Sequence, residues 1–220
     1  MTLAFLNPDE LRWGAVELIL LIVSVGLHEF GHAWVADLRG DPLPRAQGRV
    51  TLDPFAHADP IGTILIPAIG IFGILPFGII GWGKPVQVLL ANPRTRKVDD
   101  ILITLAGPAM NLVQCLGFAL IGLILRETGN TGFGAEKVIT FGIFLNAGLM
   151  VFNLVPIPPL DGSRVLRHLL GVSEETFRTI ARFAPLILIV LINLPFFNHA
   201  LSSLIFKVAA PFFALAGLPF

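Results

Sequence analysis

The chain has 220 residues, of which 55% are hydrophobic and only 14% charged, and its 15 basic side chains match its 15 acidic ones. A mean hydropathy of +0.81 argues against a water-soluble domain of this length. The lack of a basic tail or block argues against a nucleic-acid binder, and the single Cys115 against an intrachain disulfide framework.

Asn7, Pro8, Asp9 and Glu10 predict a helix start: Asn7 caps, Pro8 fits the first turn, and Glu10 stands three residues after the cap. The helix is expected to reach about Asp37, before Gly40 and Pro42 stop it. Its length and acidic flank predict retention in the mature protein, not removal as a leader. Residues 37–60 are polar and turn-rich, with a short strand expected over 48–52. Residues 61–82 are apolar but carry Pro67, Pro76 and several glycines, a poor straight helix that predicts a broken or re-entrant element. A polar stretch over 84–100 leads to a span at about 101–125, and a Gly/Thr/Asn loop at 126–137 leads to another at 138–155. Residues 163–182 are expected as a polar loop. The last apolar third begins near Phe183 and is broken by Pro195, Asn198 and Pro211.

The expected fold is an all-α polytopic membrane bundle with a re-entrant hairpin and a short β element. It forms one domain over 1–220, with a core at 8–170 and C-terminal membrane helices at 180–220. Lys and Arg gather at 39–49, 84–97 and 164–182. The positive-inside rule puts all three on the cytoplasmic side of the cell membrane and the N-terminus outside. Both flanks of 61–82 then lie on one side, as a re-entrant hairpin requires.

Within the first span stands His28-Glu29-Phe30-Gly31-His32. Ionisable groups inside a span are costly and mark function. On a helix, positions i and i+4 share a face, so two imidazoles at that spacing can grip one zinc ion. Glu29 points about 100° around the helix, able to reach water as general base without being a ligand. A catalytic zinc has three protein ligands and an open position. Candidates for the third are His57, His168, His199 and the carboxylates. Among these Asp161 is attractive because it closes NLVPIPPLDG (153–162), where prolines unwind the chain after an apolar helix.

HEFGH in the first span, AGPAMN (106–111) in the next and NLVPIPPLDG in the third resemble the site-2 protease family of intramembrane zinc metalloproteases. TLDPFAHADPIGTILIP (51–67) and GWGKPVQV (81–88) are similar to its small bacterial and archaeal branch, without PDZ or CBS modules. The resemblance covers most of residues 20–170. It implies one zinc per chain held by His28, His32 and Asp161, water activated by Glu29, and Asn153 helping to hold substrate or oxyanion. Gly107, Pro108 and Asn111 match a second motif and are expected to be structural. His57 is expected to be a solvated loop residue, with His168 and His199 interfacial. The implied substrates are single-span membrane proteins, with the active site toward the cytoplasmic side. The rival readings are a membrane metal carrier or channel using the same His/His/Asp site, and a non-catalytic relative that binds membrane helices.

Overall fold

Asn7 caps the first helix as expected. In the computed structural model its side chain accepts the Asp9 and Glu10 N–H groups at 3.0 and 2.8 Å, while the Glu10 carboxylate accepts the Asn7 N–H at 2.9 Å. Donors that a helix end leaves open are satisfied reciprocally. The structure describes residues 7–72, 81–90, 92–130 and 132–219. Helix α1 (Pro8–Leu38) has 31 residues, about 46 Å at 1.5 Å per residue, which is longer than the hydrocarbon core of a bilayer.

A single turn, α2 (Leu43–Ala46), follows. Residues 48–52, expected as a strand, are bends and turns instead. Gly48 adopts a φ of 67°, the Arg49 N–H donates back to Pro44 at 2.8 Å, and the Thr51 carbonyl accepts from His57 Nε2 at 2.9 Å. The groups a ladder needs are bonded locally. After a 3-10 turn at Pro54–Ala56, a π-helical turn at Pro60–Leu65 continues into α3 (Ile66–Ile71). Pro67 lacks the N–H that would extend an α ladder to Thr63, and the wider turn lies just before it.

Residues 73–80, part of the expected re-entrant element, lie outside the described residues. Its two ends are held together. The Trp82 N–H donates to Gly62 at 3.0 Å, Thr63 Oγ1 donates to the Trp82 carbonyl at 2.7 Å, and Ala58 pairs with Gly83 in an isolated antiparallel bridge. Residues 81–90 then run as an irregular strap. Buried Asp41 holds its far end, accepting the Leu89 and Leu90 N–H groups at 2.5 and 3.2 Å.

Helices α4 (Arg96–Glu127) and α5 (Phe133–Asn153) form the two following spans. The expected loop at 163–182 is helical. It holds α6 (Asp161–Leu170) and the first half of α7 (Glu174–Ile192). Polarity there reflects helix signals, not irregular chain. Gly171 at φ 66° ends α6, Ser173 caps α7 through the Thr176 N–H at 3.2 Å, and Arg178 pairs with Glu174 at 3.2 Å. The last apolar segment breaks at Pro195 as expected, where α7 ends at Ile192 and α8 (Pro195–Ala216) begins, but Asn198 and Pro211 lie inside α8 and do not break it.

Among the described residues α1, α4, α5 and α8 are long and apolar enough to cross a membrane. The protein is a polytopic helical membrane protein. α4, α5 and α8 share an apolar core of Cys115, Ala119, Ile139, Ile143, Ala147, Ala209, Phe213 and Ala216. Small residues dominate it, as they do where helices must approach closely without a hydrophobic driving force from water. Cys115 is buried there as a packing residue. α1 crosses α4 at the other side of that bundle, where Gly31 meets the Ala106 backbone: a Cβ at Gly31 would lie 2.7 Å from the Ala106 carbonyl oxygen.

Candidate metal centre

The α1–α4 crossing brings His28 and His32, one turn apart, against α4. Each imidazole is fixed through Nδ1. His28 Nδ1 donates to Asn111 Oδ1 at 2.7 Å, and His32 Nδ1 donates to the Ile103 carbonyl at 2.7 Å. The Asn111 rotamer is itself fixed, because its Nδ2 donates to Asn146 Oδ1 on α5 at 3.0 Å. Asn146 Nδ2 donates in turn to Ser24 Oγ of α1 at 3.1 Å and to the Gly142 carbonyl at 3.0 Å. Hydrogen bonding at Nδ1 fixes the tautomer, so both Nε2 atoms present lone pairs.

Those two Nε2 atoms face each other at 3.1 Å. Asp161 Oδ2 lies 3.3 Å from one and 3.4 Å from the other. That oxygen is buried and has no hydrogen-bond partner. With the imidazoles neutral, three lone-pair donors converge here, an arrangement that a cation satisfies. Tetrahedral ligands at zinc distances of about 2.0–2.1 Å stand roughly 3.3 Å from one another, which matches the spacing here. Among the described residues these three form the cluster of His, Cys, Asp and Glu side chains able to hold a metal, with ligand atoms within 4.8 Å of one another. Gly107 closes the fit. A Cβ there would collide with His32 Nε2 and sit 2.6 Å from His28 Nε2, so this glycine keeps space at the metal position.

Asp161 reaches the pair because the chain unwinds after α5. Leu160 is extended (φ −68°, ψ 151°), and Asp161 opens α6. Gly162 packs directly on the Leu154 carbonyl, where a side chain has no room. The opposite end of α6 is tied to α4. His168 Nε2 lies 2.5 Å from Asp100 Oδ2, and Arg167 Nη2 lies 3.7 Å from the same buried carboxylate. His168 is therefore a part-buried anchor for α6.

His57 also departs from expectation. It is fully buried, and burial pushes its imidazole below the ordinary histidine value, where it stays neutral. His199 lines a separate pocket on α8 with Ser202 and Lys207. Neither belongs to the metal cluster.

Glu29 and Asn153 line the same cavity as the three ligands, a space of about 280 Å³ bordered by Trp82, Gly83 and Val86 of the strap. Glu29 makes its ion-pair contact with Arg49 Nη2 at 3.9 Å. Asn153 Nδ2 donates to the Leu149 carbonyl at 2.9 Å. Sequence reasoning passed over Ser24, Asn146, Arg49 and Asp100. The signal for the first two was present, since both are polar residues inside apolar spans.

The model of peptidase family M50 matches residues 16–192. YwhC of Bacillus subtilis is 37% identical over 156 residues, covering 69% of this chain and 67% of that protein. Rip2 of Mycolicibacterium smegmatis is 32% identical over 223 positions, covering 98% of this chain and 82% of its own length. Both are named as candidate zinc metalloproteases. A protein of Methanocaldococcus jannaschii named zinc metalloprotease MJ0392 is 28% identical over 163 residues, 74% of this chain and 36% of that one. No solved structure matches.

Proposed function

The chain belongs to peptidase family M50 and is a zinc metalloprotease, and we propose that it cleaves the membrane-spanning segments of single-span proteins in the cell membrane. The observation that carries this reading is the site's position. The two histidines and Glu29 sit inside a helix long and apolar enough to cross a bilayer, and they open on one cavity with Asp161 and Asn153.

His28, His32 and Asp161 would hold the zinc, which would supply a Lewis acid for the scissile carbonyl and for water. Glu29 takes the proton from the attacking water at its carboxylate and delivers it to the leaving amine. Asn153 spends one Nδ2 hydrogen on Leu149 and keeps the second for a substrate carbonyl or its developing oxyanion. Asn111 and the Ile103 carbonyl keep both imidazoles in the ligating tautomer.

A helical substrate is internally hydrogen bonded and must unwind before attack. The strap suits an unwound segment. Val86 and Val88 border the cavity, and among the described residues their N–H groups have no backbone partner. Such groups accept an extended chain by strand addition. Entry of 61–82 from one side is supported by its joined ends. With the basic clusters inside, the N-terminus lies outside and the metal centre faces the cytoplasmic half.

The test compares wild type with Glu29→Gln, each with zinc content measured, on labelled single-span helices in liposomes. Cleavage within the span by wild type, lost in the variant with zinc retained, is the expected result. Equal cleavage by both removes Glu29 from the mechanism. Metal flux across the liposome membrane without cleavage would favour a carrier.

A further inference from the structure

Arg49 is only 4% exposed, although it lies in the irregular chain between α2 and the 3-10 turn. Its Nη2 donates to the Lys84 carbonyl of the strap and stands 3.9 Å from Glu29 Oε2. Its Nε–H is buried with no acceptor. Among the described residues Glu29 is the carboxylate within ion-pair reach. A guanidinium withdrawn from water is strongly destabilising unless a carboxylate attends it. The pairing therefore has a cause beyond tying down a loop, which a neutral donor could do.

Glu29 is confined on its other flank by Gly83. A Cβ there would lie 2.9 Å from Glu29 Cγ and 3.0 Å from Oε1. The carboxylate thus sits between a guanidinium and a glycine, and the same guanidinium grips the residue that follows the glycine.

We propose that Arg49 is a positioning residue: its guanidinium orients the Glu29 carboxylate toward the metal centre and couples that orientation to the strap along the cavity. The proposal rests on the reading of Glu29 as general base. Contacts around a catalytic base are often long before substrate binds and tighten afterwards. Closure by about 1 Å lets the unpaired Nε–H join Nη2 in a two-pronged contact on Glu29. A substrate strand that presses on the strap at Lys84 moves the guanidinium, and through it the base.

The test uses the zinc-loaded full chain in detergent with benzohydroxamate as the probe. A hydroxamate chelates zinc and presents its proton to the neighbouring base, so its affinity reads where the carboxylate points. Affinity is measured for wild type, Glu29→Gln, Arg49→Gln and the double variant, each carrying one zinc per chain by mass spectrometry. Each single variant is expected to bind about tenfold more weakly. The double variant is expected to lose no more than Glu29→Gln alone, because Arg49 acts through Glu29. Additive losses, or wild-type affinity in Arg49→Gln, would overturn the proposal. Should Arg49→Gln not retain zinc, Arg49→Lys replaces it; this keeps the charge but not the fork, and the same outcomes decide. On a single-span peptide that wild type cleaves, Arg49→Gln should lower kcat about 100-fold while KM stays within about twofold. A coupled cycle in a protein that cleaves no membrane peptide would sink the substrate reading and leave Arg49's role standing; cleavage with an additive cycle would do the reverse.

Discussion

The α1–α4 crossing and the α4–α5–α8 core are neighbours in one bundle, yet they are built on opposite principles. In the core, Cys115, Ala119, Ile143, Ala147 and Phe213 pack small against large with almost no exposure. At the crossing, His28, His32, Ser24, Asn111 and Asn146 are also buried, and all are polar. The first region gains from close contact between helices. The second gains nothing from burial as such, and each of its groups must find a partner or destabilise the bundle. The chain from His28 through Asn111 and Asn146 to Ser24 does this for all but the atoms that face the metal position. Within this network the lone pairs left open are those that face Asp161 Oδ2 at the metal position, and that place can bind a cation.

Two alanines on α4 break the comparison most sharply. Gly107→Ala puts a methyl group onto the ligand nitrogens and is expected to abolish zinc binding, read as metal per chain after dialysis. Gly117→Ala, on the same helix with nothing within 4 Å of the added atom, is expected to keep the metal. Loss in both would mean that α4 tolerates no addition anywhere. Next in size is Phe213→Ala in the apolar core. It should cost about 3 kcal/mol of stability by cavity formation, seen in detergent unfolding, with zinc affinity unchanged. A fall in zinc affinity there would show that the two regions are not separable.

Asn111→Ala sharpens the contrast from the polar side. It releases His28 Nδ1 and leaves Asn146 short of a donor, so metal affinity in chelator competition should fall about 10- to 100-fold. An unchanged affinity would mean that the helix alone orients the ring. The smallest effect concerns His57. Its folded value lies below the unfolded value of about 6.5. The folded state therefore resists protonation. Its contribution is complete above about pH 6.5 and is lost as pH falls through the depressed folded value. Unfolding midpoints taken at pH 7.5 and 5.5 should differ less in His57→Asn than in wild type; equal slopes would remove His57 from the acid sensitivity.

The first helix was legible almost to the residue, because its Asn7–Glu10 cap and its apolar length are local signals. So was the HEFGH pair, whose spacing alone puts both rings on one face. The C-terminal third was misread for a local reason. Charges at Glu174, Arg178 and Arg182 look like loop polarity until α7 shows Glu174 pairing with Arg178 one turn on. The expected strand at 48–52 failed because His57, six residues from Thr51, takes the carbonyl that a ladder would need.

By itself the sequence determined the membrane class, the capped first helix and the two imidazoles of the metal centre. Each of these depends on residues within a few turns of one another. The motif resemblance already pointed to Asp161 as third ligand, but the tertiary structure alone decided which atoms hold the imidazoles and what stands behind Glu29. Asp161, Asn111 and Arg49 come from three separate parts of the chain. Their meeting depends on helices crossing at Gly31 and Gly107 and on a strap folding back at Gly83, where a missing side chain leaves the space that distant groups share.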